Sequence, residues 1–295
     1  MNTREARLPE PVHVTVGGAS VAVYELTPQR TASRGDVVFC HGTPWSSQVW
    51  AAAAWHLSSS YRVFLWDMPG YGRSTKDPAV PVDLASQMTR FAQLHTHWRL
   101  DRPYVVAHDI GGAVALGAHL LHNTDYAGLF LWDIVTLDPW GSPFFRLVAD
   151  HPNVFAELPA ALHAALVKAY IAGAAGHPLT PGWIDTLSEP WLGASGQSAF
   201  YRQIAALDPE HTRPVAESLD RVRCPVKIGW GQQDPWIPVS QVAQLQDRLP
   251  GSPAVEMLTG EGHLAPIETP SRVSRALTDW LAQQEDGARE SSKSR

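Results

Sequence analysis

Cysteine is scarce in this chain, with two among 295 residues, Cys40 and Cys224. They stand far apart, with no CxxC pair and no zinc-ligand spacing, which excludes a disulfide-stapled framework and a cysteine metal site. Cys40 lies in an apolar run and is expected to be a buried thiol, so nothing requires an oxidising compartment. Long apolar runs are missing too. No segment approaches the ~18 consecutive apolar residues of a membrane-spanning helix, and the opening MNTREARLPEPVHV has no apolar signal-peptide core. The expected location is the cytoplasm, without a membrane partner. Positive charge is in deficit: 23 Lys and Arg against 29 Asp and Glu leave a formal net charge of −6. That balance argues against a nucleic-acid partner. Internal repeats are absent, as are the GxGxxG and P-loop spacings of phosphate cradles. His119 and His122 could share a helix face, but no carboxylate accompanies them, so a plain helix surface is expected there. Neither a metal nor a cofactor is expected.

What is present is the pattern of a packed α/β protein. Hydrophobic residues make up 44% and charged residues 18%, the balance of an ordinary globular chain with a sizeable core. The length suits one large α/β domain or two small ones. VHVTV and SVAVYEL flank a Gly-Gly pair and predict an opening β-hairpin. DVVFCHG (36–42) and YRVFLWDMPG (61–70) are continuous apolar runs ending in glycine, as buried parallel strands are. SSQVWAAAAWHL between them has helical spacing and serines placed to cap its start. A helix near 84–97, a strand over 103–109, a helix over 112–122 and a strand over 127–135 continue the alternation. Residues 138–221 break it with proline-rich turns and short alanine-rich helical pieces. It resumes with a strand in 224–234, a helix near 239–249, the strand AVEMLTG and a final helix over 271–284. The expected fold is a doubly wound, mostly parallel sheet with a helical insertion after its sixth strand. The last residues, 286–295, are polar and charged and are expected to be disordered. Twelve tryptophans exceed what a core needs and hint at an aromatic pocket.

The stretch PYVVAHDIGGAVAL (103–116) drives a strand into a tight turn and a helix, with Asp109 at the apex. Such a turn forces an unusual backbone and needs small neighbours two positions either side, here Ala107 and Gly111. The plainer role for Asp109 is to N-cap the following helix. Two further residues weigh against that role. Asp234 ends the next-to-last strand in GWGQQDPWIP, and His263 lies in GEGHLAPIETP after the last strand. In a doubly wound sheet, ligands bind beyond the carboxyl ends of the strands, where all three residues fall. A carboxylate needs no base to become nucleophilic and suits displacement at sp³ carbon, giving an ester of Asp109. His263, oriented by Asp234, can then activate water against that ester. Asp133, after strand six, is the alternative acid.

Nucleophile, acid and histidine in that chain order, together with HGTPWSS, DMPGYGRS and GHLAPIETP, resemble the α/β-hydrolase superfamily over about residues 12–284. The resemblance implies an eight-stranded, mostly parallel sheet with helices on both faces. It divides the chain into a core of 1–137 and 222–285 and a helical cap of 138–221. An aspartate nucleophile is similar to the epoxide hydrolase and haloalkane dehalogenase branch, since esterases and lipases carry serine there. Ala107 stands where glycine is commoner in that elbow. Backbone N–H groups of Thr43 and Ile110 are the implied oxyanion hole. Ile110 stands where dehalogenases commonly carry a tryptophan halide donor, which favours epoxide opening. For that chemistry the cap supplies two tyrosines, Tyr201 in QSAFYRQ and Tyr170 in LVKAYIA, and the resemblance favours Tyr201 as the ring-opening acid. His41, Pro44, Trp45, Trp140 and Trp236 are expected around the pocket, His41 shaping the oxyanion loop. His108 is expected to point away from the reaction centre. The expected partner is a small hydrophobic molecule, with a homodimer left open. Haloalkane dehalogenation, ester or lactone hydrolysis, and ligand binding without turnover are the alternatives.

Overall fold

Runs such as DVVFC and GLFLW offer no polar face to water, and they form the interior of an eight-stranded sheet. The computed structural model describes residues 6–29 and 32–293. Strands β1 (Val12–Val16) and β2 (Ala19–Leu26) make the opening hairpin, turning through Gly17 and Gly18, both at positive φ. Then follow β3 (Asp36–Cys40), β4 (Arg62–Trp66), β5 (Tyr104–His108), β6 (Gly128–Trp132), β7 (Val226–Gly231) and β8 (Ala254–Leu258). The order across the sheet is β1-β2-β4-β3-β5-β6-β7-β8. β1 and β2 pair antiparallel, as do β2 and β4, and every pairing from β4 to β8 is parallel.

Helices α1 (Ala51–Leu57), α2 (Leu84–His97) and α3 (Ile110–Leu121) connect the early strands. Asp83 caps α2 by accepting from Ser86 N at 2.9 Å. The insertion between β6 and β7 holds α4 (Pro143–Asp150), α5 (Pro152–Ala156), α6 (Ala160–Ala172), α7 (Pro181–Ser188), α8 (Gly193–Ala205) and α9 (Arg213–Ala216). Ser142 and Thr180 cap α4 and α7, each with proline in the first turn, where a missing N–H does no harm. After β7 come α10 (Gln241–Arg248), α11 (Ala265–Glu268) and α12 (Pro270–Lys293). Within the layers covering the sheet, α1 packs on α12 and α2 on α3. No helix among the described residues is long and apolar enough to cross a membrane.

Three expectations need correction. Helix α12 continues to Lys293, through most of the polar stretch assigned to disorder, while Ser294 and Arg295 lie outside the described residues. Glu285 anchors its later turns by accepting from Tyr61 Oη and pairing with Arg34. A helix already docked adds residues at little cost, even polar ones. His119 is fully buried: Nδ1 meets Thr124 O and Nε2 accepts from Arg223 N. It is a core strut on α3, not helix surface. The tryptophans serve mainly the core, since seven of the twelve are fully buried, among them Trp66, Trp132, Trp230 and Trp280.

Candidate active site

The turn after β5 holds Asp109 at φ 54° and ψ −129°, a conformation costing about 1–3 kcal/mol that the surroundings must impose. They do so through the backbone: Asp109 N donates to Trp132 O, and Asp109 O accepts from Gly112 N and Val135 N. A Cβ on Gly111 would come 2.4 Å from His41 O, and one on Gly42 would come 2.3 Å from Asp109 Cβ. Both glycines are therefore required by close approach. Although Asp109 sits at the N-cap position of α3, its side chain makes no capping hydrogen bond. The helix-cap role is thereby excluded.

Instead the carboxylate turns toward the loop after β3. Oδ1 accepts from Thr43 N at 2.6 Å, and Oδ2 lies 3.4 Å from His263 Nε2. Ile110 opens α3, so its N–H is one of those without an intrahelical acceptor. His263 Nδ1 meets Asp234 Oδ2 at 2.8 Å. Asp234 Oδ1 accepts from Trp236 N and Ile237 N, at 2.7 and 2.9 Å, which fixes the carboxylate's orientation. Burial works against a charged imidazole at His263, yet the Asp234 carboxylate and Asp109 outweigh it and hold its pKa well above the ordinary histidine value. Asp133, one strand closer to Asp109, is fully buried and accepts from Gly231 N at 2.7 Å. Direct contact with His263 Nδ1 therefore belongs to Asp234.

Asp109 opens into a cavity of about 530 Å³. Its walls include Thr43, Ile110, Trp140, Phe145, Tyr170 and Trp236. Tyr170 stacks on Trp236 at 4.7 Å between ring centroids, and Trp236 packs on the His263 ring at 5.2 Å. Among the described residues the Tyr170 hydroxyl has no hydrogen-bond partner. Burial, reinforced by the charge of Asp109, pushes its pKa well above the usual phenol value.

The two cap tyrosines have exchanged the positions expected of them. Tyr201 is fully buried and is not among the residues lining this cavity. His163 Nε2 faces the Trp191 carbonyl at 2.9 Å and so carries the proton, leaving Nδ1 to accept from Tyr201 Oη at 2.9 Å. The Tyr201 proton is thus committed inside the cap, because α8 turns that face toward α6. Of the other expected pocket residues, Trp140 and Trp236 line the cavity, whereas His41, Pro44 and Trp45 stand behind it. Trp45 stacks on the back of Trp236 at 5.6 Å. His41 Nε2 accepts from Met68 N at 2.9 Å and Nδ1 donates to Gly42 O at 2.8 Å, so it braces the loop. His108 does point away from the cavity, and donates from Nε2 to His263 O at 2.8 Å. Burial pushes its pKa down to about 3, so the ring is neutral.

Sequence reasoning missed the cap's grip on the oxyanion loop. Gln203 Oε1, on α8, accepts from Thr43 Oγ1 at 2.8 Å and Tyr71 Oη at 2.6 Å. Trp191 Nε1 donates to Pro44 O at 2.8 Å. Tyr71 was legible only as part of the DMPGYGRS loop, and neither Gln203 nor Trp191 carries any motif.

The chain matches the Alpha/beta hydrolase family over residues 37–276. A crystal structure of an α/β-hydrolase fold protein from Burkholderia ambifaria is 37% identical and superposes with a TM-score of 0.88, covering 94% of this chain and 100% of that one. The RutD protein of a Caulobacter species, named for carbamate hydrolysis, is 25% identical over 88% of this chain and 95% of its own length. The haloalkane dehalogenase DbeA from Bradyrhizobium elkani shares the fold at 19% identity and a TM-score of 0.75, covering 94% and 98% of the two chains.

Proposed function

The chain belongs to the α/β-hydrolase family, and we propose that within it this protein is an epoxide hydrolase with Asp109 as nucleophile. One observation carries the reading: a carboxylate with one oxygen on a backbone N–H and the other 3.4 Å from His263 Nε2, facing an apolar cavity that also holds an unbonded tyrosine hydroxyl. Oδ1, bound by Thr43 N, is already where an oxyanion would form, which leaves Oδ2 to attack. Attack on an epoxide carbon forms a C–O bond, breaks the ring C–O bond, and passes the Tyr170 proton to the opening oxygen. The product is a hydroxyalkyl ester of Asp109. Esterification removes the Asp109 charge, one of the influences holding His263 protonated, so the imidazolium gives up its proton, restoring the Tyr170 phenol, and the neutral imidazole can act as base in the intermediate. His263 Nε2 then takes a proton from water, hydroxide adds to the Asp109 carbonyl carbon, and the tetrahedral oxyanion rests on Thr43 N and Ile110 N. As the intermediate collapses, the ester C–O bond breaks, His263 gives its proton to the departing alkoxide to complete the diol, and the proton left on the Asp109 carboxyl passes to His263, restoring the carboxylate and imidazolium.

Halide displacement is the second reading. Trp45 Nε1 is buried without a hydrogen-bond partner among the described residues, and is the indole donor nearest to that use. However, Trp45 stands behind Trp236, outside the cavity wall. Trp140 faces the cavity but spends its N–H on Thr212 Oγ1 at 2.9 Å.

The deciding experiment is intact-protein mass spectrometry after exposure to an epoxide panel and a haloalkane panel. In His263→Gln, epoxides should leave a stable mass addition on Asp109. In the wild type the same adduct should build up at acid pH, where His263 stays protonated and cannot activate water, and should vanish as pH rises. An adduct from haloalkanes alone would replace the epoxide reading with dehalogenation. With no adduct from either panel, Asp109 is not an alkyl-accepting nucleophile.

A further inference from the structure

The groups of the proposed reaction are carried by separate parts of the fold. Asp109 and His263 stand on loops of the sheet, whereas Tyr170 is carried by α6 of the cap. Because its hydroxyl makes no hydrogen bond among the described residues, Tyr170 is aimed only by the packing of its ring. Phe144, Phe145 and Phe200 lie against that ring at 5.1, 6.1 and 6.2 Å between centroids, and all belong to the cap. They set the tyrosine within the cap, not its place relative to Asp109. The remaining and nearest ring is Trp236, at 4.7 Å and 27° between planes, and it follows β7 in the core. Among the described residues it is the one ring through which the sheet can align the tyrosine.

Trp236 is itself firmly placed. Its N–H donates to Asp234 Oδ1 at 2.7 Å, its ring stacks on the buried Trp45 at 5.6 Å and 12°, and it packs on the His263 imidazole at 5.2 Å. Contact therefore runs from the relay acid and the base, through one indole, to the phenol. Stacked aromatic pairs favour offset arrangements over others, so the indole face restricts where the phenol ring can lie. Such a restriction acts on rate, because a group misplaced by about 1 Å at the reacting centre costs roughly 10²-fold.

We propose that Trp236 is a positioning residue that registers the cap-borne Tyr170 against the core-borne Asp109. It acts through the tyrosine, and its indole passes no proton. The proposal rests on the epoxide reading above, in which Tyr170 protonates the opening oxygen.

A double-mutant cycle of Trp236→Leu, Tyr170→Phe and the pair tests it. Each is followed as single-turnover alkylation of Asp109 at saturating epoxide, and then as hydrolysis of the resulting ester. Side-chain replacement leaves the backbone N–H of residue 236 on Asp234, so the relay acid keeps its donor. Trp236→Leu should slow alkylation roughly 10-fold and leave ester hydrolysis within about 3-fold, since Asp234 still holds the imidazole. Trp236→Phe keeps a stacking face and should stay within about 3-fold of wild type. In Tyr170→Phe there is no hydroxyl to aim, so adding Trp236→Leu should cost under about 2-fold more. A further loss of about 10-fold in the double variant overturns the proposal, because the indole would then act independently of the hydroxyl. A Trp236→Phe variant as slow as Trp236→Leu also overturns it, by assigning the effect to the indole N–H. So does a larger loss in hydrolysis than in alkylation, which would assign the ring to His263. Should Trp236→Leu not fold, Trp236→Met keeps bulk without a ring and takes its place in the same cycle. If no epoxide alkylates the wild type, the epoxide reading fails on its own, and crystal structures of wild type and Trp236→Leu decide the proposal. A Tyr170 ring displaced in the variant supports it, and an unmoved ring overturns it.

Discussion

Asp109 keeps a left-handed backbone that no aspartate prefers, and it does so without using its side chain to cap α3. The strain is unexplained by helix stability, since a relaxed aspartate there could have capped the helix and stabilised it by about 1 kcal/mol. A carboxylate aimed at Thr43 N and the cavity is what the strained turn delivers. At this scale the two cap tyrosines separate cleanly. Removing the Tyr170 hydroxyl takes away the only unbonded phenol among those considered, so Tyr170→Phe should slow epoxide opening by roughly 10²-fold, read as single-turnover alkylation of Asp109. Tyr201→Phe removes a hydrogen bond to His163 and should leave the alkylation rate within about 3-fold, with a small drop in thermal stability. The opposite ranking would return the acid role to Tyr201.

Elements bring these residues together through connections that no local pattern encodes. Helix α8 reaches the oxyanion loop through Gln203, and the segment before it does so through Trp191. Tyr201, His163, Trp191 and Pro44 form one hydrogen-bonded series running from the cap to that loop. On the other side, Glu268 of α11 accepts from Gly262 N and Leu264 N, which flank His263, and from Gly176 N in the cap. Both the oxyanion donor and the histidine are thus held by the same insertion. Gln203→Ala would leave Thr43 Oγ1 and Tyr71 Oη without their shared acceptor and free the loop to shift. A shift of this kind lowers kcat about 10-fold while KM stays within about 2-fold, because Thr43 N matters most once an oxyanion forms. A rise in KM with unchanged kcat would mean that Gln203 serves substrate binding instead.

Across the whole molecule, the sheet order sets the site. Residues following β5, β6, β7 and β8 emerge from four adjacent strands, which is why Asp109, Asp133, Asp234 and His263 converge although up to 154 residues separate them along the chain (263 − 109). The far end of the fold is closed by α12, whose Glu285 joins Tyr61 and Arg34. Ending the chain after Gln284 removes that partly buried tie, worth about 1 kcal/mol, and should lower Tm by roughly 2–4 °C in a thermal melt. No change in Tm would mean that the last turns of α12 add nothing to the fold.

Strands and helices of the core were readable from the chain because their signals are local: apolar runs closed by glycine, and helical spacing opened by capping side chains. Asp83 caps α2, and Ser46 caps the turn that leads into α1. The order of Asp109, Asp234 and His263 was readable for a related reason, since each must follow a strand and strands leave a pattern. What lay beyond reach were contacts between segments distant in sequence. QSAFYRQIAALD marks Tyr201 and Gln203 as neighbours on one helix, but helical rotation and the packing of α8 against α6 decide that the tyrosine faces His163 and the glutamine faces Thr43. The sheet, the elbow and the order of the reactive groups follow from local patterns in the chain. Which tyrosine meets the cavity, and that Asp133 stands beside Asp234, follow from packing, because side-chain direction and strand adjacency are set by contacts between distant segments.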